Sequence, residues 1–320
     1  MADRTAWGPD RLPAKAAPGQ EASAGTGFSI VLPALDEEHG LLATLESIRS
    51  ALAASGRVYE VVVVNDGSTD ATPRLLAARA DVRIVDHAVT RGYGAALKAG
   101  IAAARYPLVL IMDADGTYPA AAIPTLVDGC AAADMVVGAR LGRTAHGMPA
   151  RAVAKWCFRQ AAQWITWTRI PDLNSGLRVF HRAVAERFMP LLPDGFSFTT
   201  TITVASILEG AAVRFEIVDY MPRIGRSKVR PLPDTLRIAR QLLRLGVRMA
   251  PFRTSLLIAL PLLAAAALLD ASARFAPTHL VSAAAGLLVV ALGWVLEQRV
   301  RRRRDAVPGP MVASRSSLRA

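Results

Sequence analysis

Two carboxylates one residue apart, Asp113 and Asp115, close the apolar run Leu108-Val-Leu-Ile-Met112 and are followed by Gly116. An apolar run of this length, bounded by Pro107 and Gly116, predicts a buried strand with the acids at its carboxyl end. In an open α/β sheet that end is where ligands bind. Two hard oxygen donors there suit Mg2+ or Mn2+ already carrying phosphate groups. Asp-x-Asp-Gly is also a good turn sequence, because an Asp side chain bonds the backbone that follows it and Gly accepts positive φ.

The elements that position these acids are read from the residues around them. Phe28-Ser-Ile-Val-Leu-Pro33 is a β-rich run stopped by proline; Ala34-Leu-Asp-Glu-Glu38 and an amphipathic pattern from Leu41 to Leu52 follow it. That order predicts strand, loop and helix. Tyr59-Glu-Val-Val-Val-Val64 predicts a second buried strand, ending in Asn65-Asp66-Gly67-Ser68-Thr69-Asp70, with a helix over Ala71 to Ala80. Asp66 is placed there to meet a ligand, to cap the following helix, or both. Val82-Arg-Ile-Val85 predicts a third strand, Arg91-Gly-Tyr-Gly94 opens a helix through Lys98 to Ala104, and Asp134 to Arg140 predicts another strand with Arg140 at its end. Strands alternating with helices imply an α/β fold with a doubly wound, mostly parallel sheet.

Six short motifs occur in order: Leu32-Pro-Ala-Leu-Asp-Glu37, Val64-Asn-Asp-Gly-Ser-Thr-Asp70, Arg91-Gly-Tyr-Gly94, Asp113-Ala-Asp115, Asp172-Leu-Asn-Ser-Gly-Leu-Arg178 and Arg223-Ile-Gly-Arg-Ser-Lys228. Each is weak alone, and together they are specific. The chain resembles the family 2 glycosyltransferases of the GT-A fold, in the polyprenyl-phosphate sugar synthase branch that includes dolichol-phosphate mannose synthase. Leu35 stands where that family tends to carry an aromatic against the donor base, and Asn65 where the first of two aspartates is usual.

The resemblance implies a metal-dependent, inverting transferase moving a hexose from a nucleotide sugar, GDP-mannose or a UDP-hexose, to a polyprenyl phosphate. It implies Pro33, Leu35, Glu37, Val64, Asp66 and Ala114 around the donor. It also implies Asp113 and Asp115 holding Mg2+ or Mn2+ as a Lewis acid to the leaving oxygen, with Arg223 and Lys228 in a loop that folds over the donor. A phosphate monoester has a second pKa of about 6, so such a nucleophile needs no general base. Cations that hold two anions in line do that work instead. Arg140, Arg151, Arg178, Arg223 and Lys228 are the candidates, and Ser175 is either an acceptor-side hydrogen-bond donor or a turn residue. Arg140 and Arg223 join the two acids as catalytic candidates. The same fold acting on another membrane lipid or glycan is one other reading, and a nucleotide-sugar-binding protein without turnover is another. Gln160-Ala-Ala-Gln-Trp164 resembles the Gln-x-x-Arg-Trp signature of processive polysaccharide synthases, but Gln163 stands where Arg is required.

The composition bounds the partners. The chain has 320 residues, 52% of them hydrophobic, and a net charge of +12 that implies an anionic partner such as membrane lipid or a phosphorylated substrate. A nucleic-acid partner is not expected, since charge alone speaks for it and no recognisable module accompanies it. Cys130 and Cys157 have neither metal-ligand nor disulfide spacing. Residues 1–26, rich in Pro, Ala, Gly and charge, are expected to form a disordered arm, and residues 27–230 the catalytic domain. Residues 231–252 place Arg237, Arg240, Arg244 and Arg248 on one stripe of a basic amphipathic helix suited to a membrane interface. Residues 253–298 contain Thr254–Leu269 and Leu280–Leu296, apolar all round, expected as a transmembrane hairpin with buried core helices as the alternative. Residues 299–320 are expected as a basic tail. The positive-inside rule then makes the chain a two-span membrane protein, its catalytic domain and both termini in the cytosol. The oligomeric state is left open.

Overall fold

The computed structural model describes residues 27–140, 149–224, 231–272 and 278–306. Seven strands form one sheet: β1 (Phe28–Ala34), β2 (Tyr59–Asn65), β3 (Arg83–Asp86), β4 (Leu108–Ile111), β5 (Met135–Arg140), β6 (Arg178–His181) and β7 (Val213–Val218). The helices are α1 (Leu41–Ala53), α2 (Thr72–Ala77), α3 (Tyr93–Ala103), α4 (Ile123–Gly129), α5 (Pro149–Thr166), α6 (Arg182–Phe188), α7 (Phe198–Leu208), α8 (Pro231–Met249), α9 (Pro251–Ser272) and α10 (Thr278–Ala306). The chain divides into two compact units. The sheet belongs to the first, and the second takes Ala145–Leu173, Thr199–Glu209 and Val229–Ala320. The span expected as a single domain, 27–230, is therefore shared between them.

The strand order is β3-β2-β1-β4-β6-β5-β7. Four of the pairings are parallel and two, β4 with β6 and β5 with β6, are antiparallel. The sheet is thus mostly parallel as expected, with β6 running back between its neighbours. From β1 the chain winds outward through β2 and β3, then returns to lay β4 on the other side of β1. Such a reversal opens a crevice at the carboxyl ends of the two strands.

β1 is buried at every position but Pro33, as a strand covered on both faces must be. Ile30 and Leu32 share a core with Leu41, Leu45 and Ile48 of α1 and with Ile123 and Leu126 of α4. Val31 and Val64 face the other way, where a methyl at Gly100 of α3 would strike Val31. Each fully buried Leu, Ile or Val contributes about 1.5–3 kcal/mol through removal from water. β4 ends at Ile111, and Met112 N still bonds Val31 O at 3.2 Å. The acids therefore stand one turn beyond the strand.

The second unit corrects the expectation for the end of the chain. Among the described residues no helix is long and apolar enough to cross a membrane, which overturns the two-span reading. α9 opens on Pro251 and Phe252, has Arg253, Thr254 and Ser255 in its first turns, and carries Pro261 within it. Its leucine-rich stretch, Leu256 to Leu269, rises only about 21 Å against a hydrocarbon core of about 30 Å. In α10 the stretch from Leu280 to Leu296 is diluted by Ser282, Gly286, Gly293 and several alanines. The cytosolic placing of the catalytic domain and termini rested on those spans and falls with them. Arg299 to Arg304 belong to α10 rather than to a tail, and the expected N-terminal arm lies outside the described residues.

The start of α3 is held by a tight backbone approach. Gly94 N and Ala95 N both donate to Asp194 O, at 2.7 and 3.1 Å, and a methyl at Gly94 would land on Pro193 O. Gly94→Ala is expected to cost about 3 kcal/mol by overpacking, whereas Gly195→Ala, with nothing within 4 Å of the added carbon, is expected to be near neutral. Chemical denaturation of the two variants checks this.

Candidate active site

The crevice between β1 and β4 is walled by the turns that leave those strands. Asp115 Oδ1 accepts from Thr117 N at 3.1 Å and from Thr117 Oγ1 at 2.6 Å, and Gly116 takes φ +73. The Asp-x-Asp-Gly segment is thus a turn and an acid pair at once, because Oδ1 locks the turn and Oδ2 is left for other use. Oδ2 is buried and pairs with the Arg223 guanidinium.

Asp113 lies beside it, and the Tyr93 hydroxyl donates to its Oδ1 at 2.8 Å. The Tyr93 ring stacks on Phe196 with centroids 5.4 Å apart, which fixes the hydroxyl's direction. Burial, and then the Asp113 charge, hold the Tyr93 phenol well above its ordinary value, so it keeps its proton and remains a donor. Burial, and then the neighbouring Asp115 charge, raise the Asp113 carboxyl above the usual aspartate value. The Arg223 and Arg140 charges oppose that rise.

Both arginines arrive on strand ends and loops. Met221 N bonds Thr117 O at 2.9 Å and Ile224 N bonds Asp115 O at 3.1 Å, and this short ladder lays Arg223 against Asp115. Burial works against the Arg223 charge, but Asp115 outweighs it and the guanidinium is held more firmly protonated than usual. Arg140 closes β5 and lies over the Tyr220 ring, 5.2 Å from its centroid. Glu37, buried in the turn after β1, adds a further negative charge felt by Arg223. Asp113, Asp115, Glu37, Arg140 and Arg223 are therefore gathered in one place.

The neighbouring loops are clamped. Asp36 has φ +47, uncommon for a residue with a side chain. It is held there by Asp36 N donating to Ser68 Oγ at 3.0 Å and Thr69 N donating to Asp36 Oδ1 at 2.8 Å. Glu37 N bonds Thr72 Oγ1 at 2.9 Å and Glu38 N bonds Asp70 Oδ2 at 3.0 Å. The two loops after β1 and β2 consequently form one rim, on which Pro33 and Leu35 are half-buried. Thr44 Oγ1 of α1 donates to Ala114 O at 3.1 Å and ties the rim to the acid turn.

Other expected residues are placed differently. Val64 is fully buried and lies toward α3, where a methyl on Gly100 would come within 3.0 Å of it, so its side chain belongs to the core. Asp66 caps neither the helix after it nor open solvent: its carboxylate takes His87 Nδ1 at 2.6 Å, Arg91 N at 3.0 Å and Gly92 N at 2.8 Å. It orders the turn into α3. Ser175 and Arg178 are wholly buried; Ser175 Oγ donates to Gly138 O and Arg178 Nη2 to Ser175 O, each at 2.5 Å. Neither side chain is open to solvent. They brace the turn that brings Gly176 against Asp113, where an added methyl would lie 2.5 Å from Oδ2. Lys228 and the side chain of Arg151 lie outside the described residues.

Sequence reading singled out the motif that holds Tyr93 but gave that residue no role, and missed His87, Tyr118 and Tyr220. Tyr118 OH accepts Gly176 N at 2.7 Å, and its ring meets Tyr220 edge to face at 5.3 Å. The partners of Tyr93 and His87 lie 20 and 21 residues away in the chain, and no local pattern signals contacts at that range.

The donor set can be tested against a cation. Among the described residues no group of three or more His, Cys, Asp or Glu side chains gathers as a cage. Two carboxylates nonetheless fit a hard ion that takes its other ligands from phosphate and water. The two like charges held side by side are a feature such an ion would relieve. Asp113→Asn is expected to raise the metal-free Tm by about 3 °C. Added Mn2+ is expected to raise the Tm of the parent protein and leave that of the variant unchanged. Differential scanning calorimetry with and without Mn2+ checks both; a variant less stable than its metal-free parent would contradict them.

The family model described as glycosyl transferase family 2 matches residues 29–188. An undecaprenyl-phosphate 4-deoxy-4-formamido-L-arabinose transferase of Pseudomonas paraeruginosa is 33% identical over 196 residues, covering 55% of this chain and 56% of its own. The low-salt glycan biosynthesis hexosyltransferase Agl6 of Haloferax volcanii is 29% identical over 222 residues, covering 68% and 53%. The chain thus spans about half the length of these curated relatives. The crystal structure of glucosyl-3-phosphoglycerate synthase from Mycobacterium tuberculosis in complex with UDP matches 70% of this chain and 81% of that one, with a TM-score of 0.54 at 24% identity. That likeness concerns the fold, a GT-A-like mixed sheet. With the family model spanning the sheet from β1 to α6, the chain belongs to glycosyl transferase family 2.

Proposed function

We propose that this protein transfers a hexose from a nucleotide sugar to a polyprenyl phosphate. The observation that carries the reading is the pairing of half-buried Asp113 with buried Asp115 at the β1–β4 crevice, with Arg223 and Arg140 beside it. Relatives named as undecaprenyl-phosphate and bactoprenol sugar transferases support the acceptor class. Solved neighbours crystallised with Mn2+ and UDP support the donor and the cation.

The roles divide by charge. Asp113 and Asp115 would hold Mg2+ or Mn2+, which, when bound, supplies Lewis-acid stabilisation to the departing diphosphate. Tyr93 and Thr117 fix the orientation of those carboxylates so that they need not reorganise. The rim made by Pro33, Leu35, Glu37 and the loop after β2 receives the nucleoside. Arg223 sits where a diphosphate would arrive, and exchanges Asp115 for it. Arg140 offers a second cation to the acceptor phosphate, and the guanidinium's planar fork suits that group. An ionised phosphate attacks without a general base, and direct displacement from the face opposite the diphosphate inverts the anomeric centre.

The test supplies labelled UDP- and GDP-hexoses, one at a time, to the purified chain with polyprenyl phosphate and Mn2+, and looks for labelled lipid. Asp115→Ala and Arg223→Ala are each expected to lower the rate at least about 100-fold. Equal product from Asp115→Ala, or in excess EDTA, would refute the assignment.

A further inference from the structure

α5 presents an aromatic stripe outward. Val153, Trp156, Cys157, Gln160, Trp164 and Trp167 recur at helical spacing, and Trp156, Trp164 and Trp167 are 53%, 40% and 67% exposed. On the opposite side Ala162, Ile165 and Thr166 are buried. A helix normally turns its large apolar side chains inward, so an exposed stripe of three indoles calls for a partner.

Trp167 sharpens the point. It follows the end of α5 with φ +53, the left-handed position that glycine usually fills. A bulky residue is strained there, yet the chain keeps an indole that is mostly in solvent. The guanidinium of Arg253 lies over this ring at 4.1 Å from its centroid and donates to Ile165 O at 3.0 Å, while its own carbonyl accepts Trp164 Nε1 at 2.9 Å. A cation and two indoles are thus locked together at one end of the stripe.

We propose that this stripe seats the protein on the surface of an anionic lipid bilayer, without crossing it. Indoles are amphipathic and settle at the boundary between headgroups and acyl chains, and a guanidinium fixed beside them meets a headgroup phosphate. The same unit carries Arg237, Arg240, Arg244 and Arg248, all exposed, on one stripe of α8, and the chain's net charge is +12. That charge complements anionic headgroups and adds electrostatic attraction to apolar insertion. The proposal rests on the reading of the acceptor as a membrane-dissolved lipid phosphate, because a catalytic unit with such an acceptor must be brought to the bilayer.

The experiment uses the full chain with vesicles of phosphatidylcholine containing phosphatidylglycerol, free of donor and of polyprenyl phosphate. Binding is read by co-sedimentation, and indole depth by quenching with brominated lipid. The expected result is binding with quenched indoles, weakened at least about tenfold by Trp156→Gln and by Trp167→Gly. Trp167→Gly is expected to retain or raise the Tm, since glycine fits the left-handed position; a loss of binding through misfolding would lower it. Transfer to a short, water-soluble polyprenyl phosphate is expected to be unchanged in both variants. Parental binding by both variants would overturn the proposal, as would unquenched indoles. So would a dimer that Trp156→Gln disperses, which would make the stripe a contact between copies. Vesicle binding that depends on these tryptophans, with no labelled lipid formed by the parent protein, would instead refute the transferase reading and leave the surface standing.

Discussion

Two carboxylates one residue apart, Asp113 half-buried and Asp115 buried, repel each other, and much of the first unit's local structure answers to that repulsion. Asp115 spends one oxygen on Thr117 and sets the other against Arg223. Asp113 takes the Tyr93 hydroxyl, and Arg140 and Arg223 lower the cost of its charge. Burial that raises the Asp113 carboxyl also strengthens every interaction it makes, because the surrounding dielectric is low. An arrangement that is costly when empty of cation is one that a divalent ion would relieve.

Keeping the pair in place requires rigid surroundings, and these come from backbone more than from side-chain bulk. The turn holding Gly176 approaches Asp113 so closely that any Cβ would collide with its carboxylate. Gly92 takes φ +110 and lies 2.6 Å, by its would-be Cβ, from Asp194 O at the start of α3, the helix that carries Tyr93. Asp66 and His87 hold the loop before that helix from a distance. The site is therefore built by three turns that set where each charged group points.

The strands and the acid pair were legible because they obey local rules: apolar runs broken by Pro, Gly or Asp, with carboxylates at their ends. Phe28–Ala34 and Tyr59–Asn65 fall within a residue of the predicted strands. The antiparallel insertion of β6 was not legible, since Arg178 to His181 reads as any short strand and only pairing with β4 and β5 gives it direction. Arg178 read as a candidate to hold the acceptor phosphate, yet it is fully buried, a consequence of tertiary closure that residue type does not carry. The late hydrophobic runs read as spans by composition, whereas the helices they form lack an apolar stretch of sufficient length among the described residues.

The account depends on the acid pair binding a divalent cation together with a nucleotide diphosphate. Electron paramagnetic resonance titration of free Mn2+ against the protein, with and without UDP or GDP, measures that coupling directly. The account predicts that one of these nucleotides tightens Mn2+ binding at least about tenfold, a coupling of about 1.4 kcal/mol, and that Asp113→Asn with Asp115→Asn abolishes it. Mn2+ binding that is unaffected by either nucleotide, or that survives in the double variant, would contradict it.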